Sequence, residues 1–457
     1  MDAHNVSDSP AEQAGAAIEP LTLVALPPAP APAARPAPAD PKQGARLRQA
    51  ERAQIAWGRI DLDAMLPEGH AARGIWAVVA RLDLSPLYAQ IEARDERAGA
   101  SAIDPKILLA LWVFATSEGE GSARELWRLT GLHDAYRWLC GGVMVGYHTL
   151  SDFRRHQGDV VDGLITQVLA LLMQQELVDL HRVAQDGTRV RASAGASSFR
   201  RAQTLQALME QARAHLEAVT REAADPAISA RRAAAQKRGA LDRLARLEAA
   251  LQQVPEVTET KQRSGAKDAT VRVSTTDPEA RVMKMGDGGF RPAFNVQFAT
   301  TTDQARVIVG VAVTNRGSDM GQATPMLEQI HQRTGVRPAD ILVDGGYTQH
   351  EGIDQAAERG ATFYAPLPKP RKQDSRDPHV PRDDDSAAVA AWRQRMATDE
   401  AKTIYKQRAA TAETVNADAK AHRGLDAFSV RGRDKALGSV CLFALTYNIL
   451  RLITLGG

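Results

Sequence analysis

The sequence predicts an α/β protein whose core is a mixed β-sheet, with a helical hairpin inserted into the sheet domain and an all-helical region in front of it. Two strand-like stretches carry an Asp-Gly pair, at Asp186 and Asp344, and two further strand-like runs lie between them. Most of the remaining chain has helical periodicity. The length of 457 residues suits two or three domains, and 44% apolar with 25% charged residues is typical of a soluble globular protein.

Composition excludes several classes of protein. The formal net charge of +2 is nearly balanced, so any nucleic-acid surface must be a local patch. The two cysteines, Cys140 and Cys441, stand in no metal-ligand or disulfide pattern, which fits a reducing cytoplasm. No signal peptide is recognisable. The apolar stretch 436–455 is interrupted by polar residues, which indicates a buried helix and not a membrane span.

The first part of the chain divides into a tail and a helical domain. Residues 1–43 are rich in Ala and Pro and are predicted to be a disordered tail. Residues 44–160 have helical patterns, with helix starts at Asp104-Pro105 and at Ser122. The last helix, His148–His156, bears Arg154 and Arg155. This domain could present a helix to DNA, although a plain helical bundle would give the same pattern.

The first acid lies in a strand that precedes the hairpin. In Val183–Ser193 apolar and polar residues alternate, and Asp186-Gly187 interrupts the alternation. Residues 199–254 then have two leucine stripes at helical spacing, which predicts an antiparallel hairpin broken at Asp225-Pro226. Ten Lys/Arg against six Asp/Glu from Arg200 to Leu251 make its surface basic. Such charges form a solvated face or meet phosphates.

The second and third acids follow the hairpin. Phe294–Ala299 and Val307–Val313 predict an antiparallel strand pair, and Met320–Thr334 predicts an amphipathic helix. The apolar run Ile341–Val343 then predicts a buried strand that ends at Asp344. A short strand at 361–366 and a helix at 391–421, which contains Glu413, complete the pattern.

This order of elements is that of a ribonuclease-H-like fold, in which three acids converge at one edge of a mixed sheet. It assigns residues 161–457 to the sheet domain, with the hairpin 199–254 inserted between the first two strands. The acids are Asp186, Asp344 and Glu413.

Several stretches resemble one family of proteins, the DDE transposases of bacterial insertion sequences. Tyr405–Lys420 resembles their Tyr-Arg-Glu-Lys signature, Gln185–Ser193 resembles the region of their first acid, and Thr276–Arg281 with Asn295-Val-Gln297 resembles the region before their central strands. The similarity is to the group related to insertion sequences 4, 5 and 1182. Two departures are visible: Thr414-Val-Asn416 replaces the usual Pro-Val-Phe, and the gap between Arg408 and Glu413 is one residue longer than usual.

The resemblance implies a function and a site. A transposase of this kind binds the terminal inverted repeats of its element and catalyses metal-dependent DNA cleavage and strand transfer. Asp186, Asp344 and Glu413 are then the catalytic and metal-binding residues, holding two Mg²⁺ ions for which Mn²⁺ can substitute. A homodimer would hold the two ends, in the cytoplasm, on the nucleoid and away from membranes. The alternatives are a nuclease of the same fold without strand transfer and an inactive DNA-binding relic.

The resemblance also implies DNA contacts by Tyr405, Arg408 and Lys420, next to those predicted for Arg154 and Arg155. An exposed charged helix face, or packing in the case of Tyr405, is the competing interpretation. On one continuous helix, Lys420 would share a face with Glu413, whereas Arg408 would lie about 140° around the axis. The spacing therefore predicts that Lys420 reaches DNA beside the metals more easily than Arg408 does.

Overall fold

The computed structural model describes residues 61–91, 101–223, 228–263, 271–368 and 376–456. These described residues belong to one compact unit that begins at Asp61. The predicted disordered tail at 1–43 and the predicted break at Asp225-Pro226 lie outside the described residues.

The helical region consists of short helices joined by tight turns. The two predicted helix starts are confirmed: the Asp104 side chain accepts a hydrogen bond from the backbone N–H of Lys106, and Ser122 accepts one from Glu125. The helices are α1 (Ala71–Val79), α2 (Ser85–Ala89), α3 (Pro105–Ser117), α4 (Ala123–Leu132), α5 (Asp134–Cys140), α6 (Tyr147–His156) and α7 (Gly158–Gln174).

A mixed sheet follows, and in the described residues it has six strands. Strand β1 lies in its centre, antiparallel to β5 on one side and parallel to β7 on the other. Strands β6 and β4 both pair with β5, whereas β8 pairs in parallel with β7. The strands are β1 (Arg182–Arg191), β4 (Arg281–Lys284), β5 (Phe290–Thr301), β6 (Ile308–Thr314), β7 (Asp340–Leu342) and β8 (Thr362–Tyr364).

The four strand-like runs that the sequence placed near the acids are therefore confirmed as β1, β5, β6 and β7. Helix α10 (Ala323–Thr334) and helix α11 (His350–Glu358) connect β6, β7 and β8. Helix α10 packs on one face of the sheet. Its Met326 lies so close to Gly310 of β6 that a Cβ on this glycine would touch the Met326 side chain. Phe298 points to the opposite face, where its ring meets Phe443.

The helical hairpin is inserted after β1 and has a small core of its own. It consists of α8 (Ala202–Glu222) and α9 (Ala230–Arg263), and a short pair of strands, β2 (Phe199–Arg200) and β3 (Val273–Ser274), joins its base. The predicted end at residue 254 is wrong, because α9 continues through Pro255 to Arg263. Ala250 and Val257 are both buried in the hairpin core, and this continued burial outweighs the helix-breaking tendency of Pro255.

The predicted continuous helix at 391–421 is also wrong. The segment comprises α12 (Ala387–Ala397), α13 (Asp399–Arg408) and α14 (Thr414–Ala417), with π-helical turns at Ala409–Glu413 and Asp418–His422. Thr398 separates the first two helices, because its backbone is extended and its side chain accepts a hydrogen bond from Ala401 N–H. The π-turns change the direction of the side chains that follow them.

The last helix, α15 (Arg433–Gly456), is long and apolar enough by length and composition to cross a membrane. In this structure, 67% of its most apolar window is buried inside the protein. It belongs to the same hydrophobic cluster as α3 and α7, together with Trp112 and Phe443. Its Asn448 side chain forms hydrogen bonds with the backbone of Ile308 on β6. The helix therefore packs in the protein core.

Candidate active site

The strand register places the first two acids side by side. Ala184 of β1 pairs with Leu342 of β7 in a parallel ladder. Asp186 comes two residues after Ala184, within β1, and Asp344 comes two residues after Leu342, just past the end of β7, so both side chains alternate to the same face of the sheet. The Asp344 carboxylate accepts the backbone N–H of Gly346 at 2.7 Å, which holds it at the start of a turn. The two carboxylates therefore lie side by side on adjacent parallel strands, level with the carboxyl end of β7.

Asp186 is the most constrained of the three acids. Its Oδ1 lies 3.1 Å from the guanidinium of Arg408 and accepts the backbone N–H of Gly187 at 3.0 Å. Its Oδ2 accepts a hydrogen bond from Asn416 Nδ2 at 3.0 Å. The side chain is only 16% exposed. Both oxygens are thus oriented by neighbours from the strand and from the helical segment above it.

Arg408 links the third acid to the first. Its guanidinium lies 3.5 Å from Glu413 Oε1, and the Glu413 side chain is 61% exposed. The prediction that Arg408 lies away from Glu413 is wrong, and the π-turn Ala409–Glu413 is the reason. A π-turn takes about one residue more than an α-turn, so positions five apart return to the same side. The longer gap between Arg408 and Glu413 is accommodated in this way.

Burial and charge act in opposite directions on Asp186. Burial raises the pKa of its carboxyl, and the charge of Asp344 adds to the rise; Arg408 opposes both, but the pKa stays above its ordinary value. Arg408 is itself largely buried, and although burial alone would lower its pKa, Asp186 raises it. The guanidinium therefore remains charged beside the acids.

This shift predicts a pH dependence of stability. The pKa of Asp186 is higher in the folded chain than its ordinary value of 3.8. The protonated carboxyl therefore stabilises the folded protein below this ordinary value, and the contribution is lost as the pH rises through the pKa of the folded chain. Asp186→Asn removes the titration. With a metal chelator present, we expect the variant to become more stable relative to the wild type as the pH rises from about 4 to about 7, because only the wild type loses the contribution of Asp186.

Urea denaturation at both pH values measures this difference. Asp399→Asn is the matched control, since the Asp399 side chain is 99% exposed on α13. If the difference in unfolding free energy between the variant and the wild type does not change with pH, the pKa of Asp186 is not raised. The same holds if the wild type gains stability relative to the variant as the pH rises.

A buried polar layer supports the acids from the other face of the sheet, and sequence reasoning missed its central residue, Asp319. The Asp319 carboxylate accepts hydrogen bonds from Asn295 and Gln297, both at 2.7 Å, and from Arg189 at 3.1 Å. Asn295 and Gln297 alternate with apolar residues along β5. Two buried amides on one face need partners, and this was the signal in the sequence for a further polar group.

The polar layer extends to β1 and to the turn that follows β7. Gln297 accepts hydrogen bonds from the Tyr347 hydroxyl and from Gln185, and Tyr347 lies in the turn that follows Asp344. A Cβ on Gly187 would lie 2.3 Å from an oxygen of Asp319 and 2.3 Å from the amide nitrogen of Gln297. Only glycine fits directly after Asp186, because the polar layer occupies the space of a side chain.

The remaining predicted site residues lie in different environments. Tyr405 is half-buried on α13, packs against the main hydrophobic core, and burial raises its pKa. Lys420 lies in the second π-turn, where burial and the charge of Arg189 lower its pKa. Asn416, which was recognised in the sequence only as a departure from the family pattern, binds Asp186 in addition to Arg408.

The two arginines of α6 are both engaged within the protein. Arg154 lies over the ring of Trp112, with its guanidinium carbon 4.7 Å from the ring centre, and donates to the carbonyl of Gly121. Arg155 is exposed and forms an ion pair with Asp152 on its own helix. Neither lies with the three acids in the contacts described above.

The donor set of the site is chemically suited to a hard cation. Mg²⁺ is usually held by one or two carboxylates together with waters and phosphate oxygens. Within the described ranges, however, no three side chains of the His, Cys, Asp or Glu type are already close enough together to hold a metal ion. Instead the Arg408 guanidinium lies between Asp186 and Glu413, as a protein cation that balances their charge.

The fold and the site define a class: a mixed-sheet α/β protein in which two aspartates lie side by side on adjacent parallel strands and an arginine links the first of them to a glutamate of the helical segment. Family comparisons agree with this class. Residues 259–449 match the model described as "Transposase DDE domain", and residues 60–156 match "Transposase domain (DUF772)". The two matches support a DDE-type transposase and indicate a function in DNA transposition.

The matched ranges contain Asp344 and Glu413, whereas Asp186 precedes the DDE match. Searches of curated proteins and of solved structures found no match for the chain.

Proposed function

We propose that this protein is a transposase that binds the terminal inverted repeats of an insertion sequence and catalyses DNA cleavage and strand transfer. The observation that carries the proposal is the β1–β7 register, which brings Asp186 and Asp344 side by side on one face of the sheet. Glu413 shares the partner Arg408 with Asp186. Three acids of this type, on a chain with transposase domains, suit phosphodiester chemistry.

The proposal includes a ribonuclease-H-like core for the sheet domain, residues 161–457. The strand order β6-β5-β1-β7-β8 supports it, with β5 antiparallel to both of its neighbours β6 and β1, and with β7 and β8 parallel to β1. The insertion of the hairpin between β1 and β5 is in keeping with the same assignment. The preceding helical region, 44–160, is proposed as a DNA-binding domain.

DDE transposases normally use a divalent metal, and the donor chemistry described above fits one. Asp186, Asp344 and Glu413 would hold two Mg²⁺ ions, or Mn²⁺ in their place. When bound, such ions would supply charge stabilisation and a reactive hydroxyl at neutral pH. For this, the Arg408 guanidinium must yield its contacts with Asp186 and Glu413, which are 3.1 Å and 3.5 Å long.

The protein's own residues orient the acids. Asn416 fixes Asp186 Oδ2, and Gly346 fixes the Asp344 carboxylate. Arg408, once turned outward, presents a charged fork that suits a phosphate group. Tyr405 and Lys420 lie on the same helical segment and are proposed as further contacts to the DNA backbone, as are Arg154 and Arg155 through a rearrangement of their present contacts. For each of these side chains, the contacts within the protein provide a structural role that does not require DNA.

Two ends must be cut together, so we infer a homodimer on DNA, acting in the cytoplasm on the nucleoid and not at a membrane. A nuclease of the same fold without strand transfer is the second candidate function. An inactive relic is disfavoured because all three acids are present with their orienting partners.

A supercoiled plasmid carrying the ends of the element distinguishes these functions. With Mg²⁺, we expect cuts confined to the ends and joined products in which a 3′ end is transferred to new DNA. The control is the same plasmid with scrambled ends. Nicking at random positions on both plasmids would support the nuclease instead, and end binding without cleavage under any divalent ion would support the relic.

A further inference from the structure

A polar groove of about 830 Å³ lies apart from the three acids. Its walls come from α6, from α9 of the hairpin, from the segment Thr276–Glu279, and from the segment that leads into α15. The groove therefore joins parts of the chain that are distant in sequence. Thr276–Glu279 belongs to one of the motifs in the sequence that the catalytic site does not use.

The groove has an excess of uncompensated positive charge. Among the described residues it is lined by five basic and three acidic side chains. Arg246 of α9, Arg431 and Lys435 are the important ones, because no side-chain hydrogen bond or ion pair engages them in the described part of the chain. Three cations, one from α9, one from the segment before α15 and one from the first turn of α15, thus face one groove without a side-chain partner among the described residues.

Two of the three acids that line the groove are already engaged. Asp277 accepts the backbone N–H of Gly432 at 3.2 Å, and Glu279 accepts that of Arg433 at 2.8 Å, so both satisfy the first amides of α15. Asp242 on α9 is the third. Protein carboxylates therefore leave Arg246, Arg431 and Lys435 available for an anion from outside.

We propose that this groove binds the sugar-phosphate backbone of duplex DNA, an inference that rests on the proposed transposase function and extends it to a second contact surface. Arginine and lysine neutralise phosphates, while hydroxyl and amide groups position the backbone. Ser151, Ser429 and Gln252 supply such groups along the groove. The mixture of unpaired cations and small polar donors suits a phosphate backbone better than an apolar protein surface.

The chain limits the distance between this surface and the acids. Ser193 lines the groove and comes seven residues after Asp186. Seven residues of extended chain span at most about 24 Å, which equals about seven base-pair steps of B-DNA. The rim of the groove at Ser193 therefore lies within a distance of Asp186 that a short stretch of duplex can span.

The salt dependence of DNA binding tests the proposal. Full-length protein, wild type and Arg246→Ala/Arg431→Ala, is titrated against an element-end duplex by fluorescence anisotropy from about 50 to about 200 mM salt. Losing two phosphate contacts should make the slope of log affinity against log salt shallower by about 1.8. Protection of the backbone from hydroxyl radicals should also disappear at positions that flank the cleavage site.

Matched variants make the result specific. Arg231→Ala/Arg238→Ala removes two exposed arginines of the same helix that do not line the groove, and it should leave the slope and the footprint unchanged. Arg246→Lys/Arg431→Lys keeps the charge and should restore the slope, which separates a lost contact from a folding defect.

Three results overturn the proposal. The first is an unchanged slope in the groove variant, and the second is an equal loss of slope in both alanine variants. The third is a groove variant that changes its oligomeric mass in the absence of DNA but keeps the slope of the wild type. If the wild type cleaves the ends while the slope of the groove variant is unchanged, only this inference fails. If the wild type neither binds nor cleaves the ends, the proposed function fails with it.

Discussion

Asp344→Asn is expected to lower end cleavage by at least about 10²–10³-fold, with DNA binding changed by no more than a few-fold. Asp344 follows β7 beside Asp186 of β1, and among the described residues its side chain accepts one hydrogen bond, from Gly346 N–H. Asparagine has nearly the same shape and can accept that bond. The substitution therefore removes the charge from the site and leaves the fold in place.

Single-turnover cleavage of end-bearing plasmid in Mg²⁺ measures this effect, and anisotropy with the same duplex measures binding. Asp399→Asn removes a carboxylate that is 99% exposed on α13 and should cleave like the wild type. Cleavage by Asp344→Asn within about tenfold of the wild-type rate would remove Asp344 from the catalytic residues.

Gly187→Ala is expected to destabilise the folded protein by roughly 3–5 kcal/mol, the sum of overpacking and of polar groups left without partners. The new methyl would lie 2.3 Å from Asp319 Oδ1 and 2.3 Å from Gln297 Nε2. These atoms cannot move aside cheaply, because they bond to one another and Asp319 also binds Asn295 and Arg189. Relief of the clash must therefore break buried hydrogen bonds or shift β1.

Urea denaturation of both forms gives the change in unfolding free energy. Gly163→Ala is the control, since Gly163 is an exposed position within α7 and its added Cβ would meet nothing within 4 Å. That variant should be more stable by about 0.5–1 kcal/mol because alanine is the better helix former. If Gly187→Ala unfolds at the same urea concentration as the wild type, the polar layer is not as tightly packed as described.

Much of the catalytic edge could be predicted because strand signals are local. The apolar run Ile341–Val343 and the alternation around Asp186 contain the information that makes them strands, and glycine after each acid marks where the side chain must sit. The parallel register of β1 and β7, and hence the closeness of the two aspartates, depends on tertiary packing that no local pattern records.

The helical segment above the sheet was predicted less well. Spacing arguments assume 3.6 residues per turn, and the π-turns at Ala409–Glu413 and Asp418–His422 change that number. Arg408 therefore lies with Glu413, where a continuous helix would separate them. The hairpin end was misplaced for a related reason: Pro255 is a local stop signal, but the burial of Val257 is decided by packing.

The buried amides of β5 also restrict how the sheet can assemble. Asn295 and Gln297 lie opposite Arg189 and Gly187 of β1, and their neighbours Phe294, Val296 and Phe298 point into the apolar core. A slip of one residue between β5 and β1 would turn both amides into that core and remove them from Asp319. Incorrect strand pairings thus bury unpaired polar groups, each at a cost of about 1–3 kcal/mol. The polar layer therefore fixes the register of β5 against β1, the strand that carries Asp186.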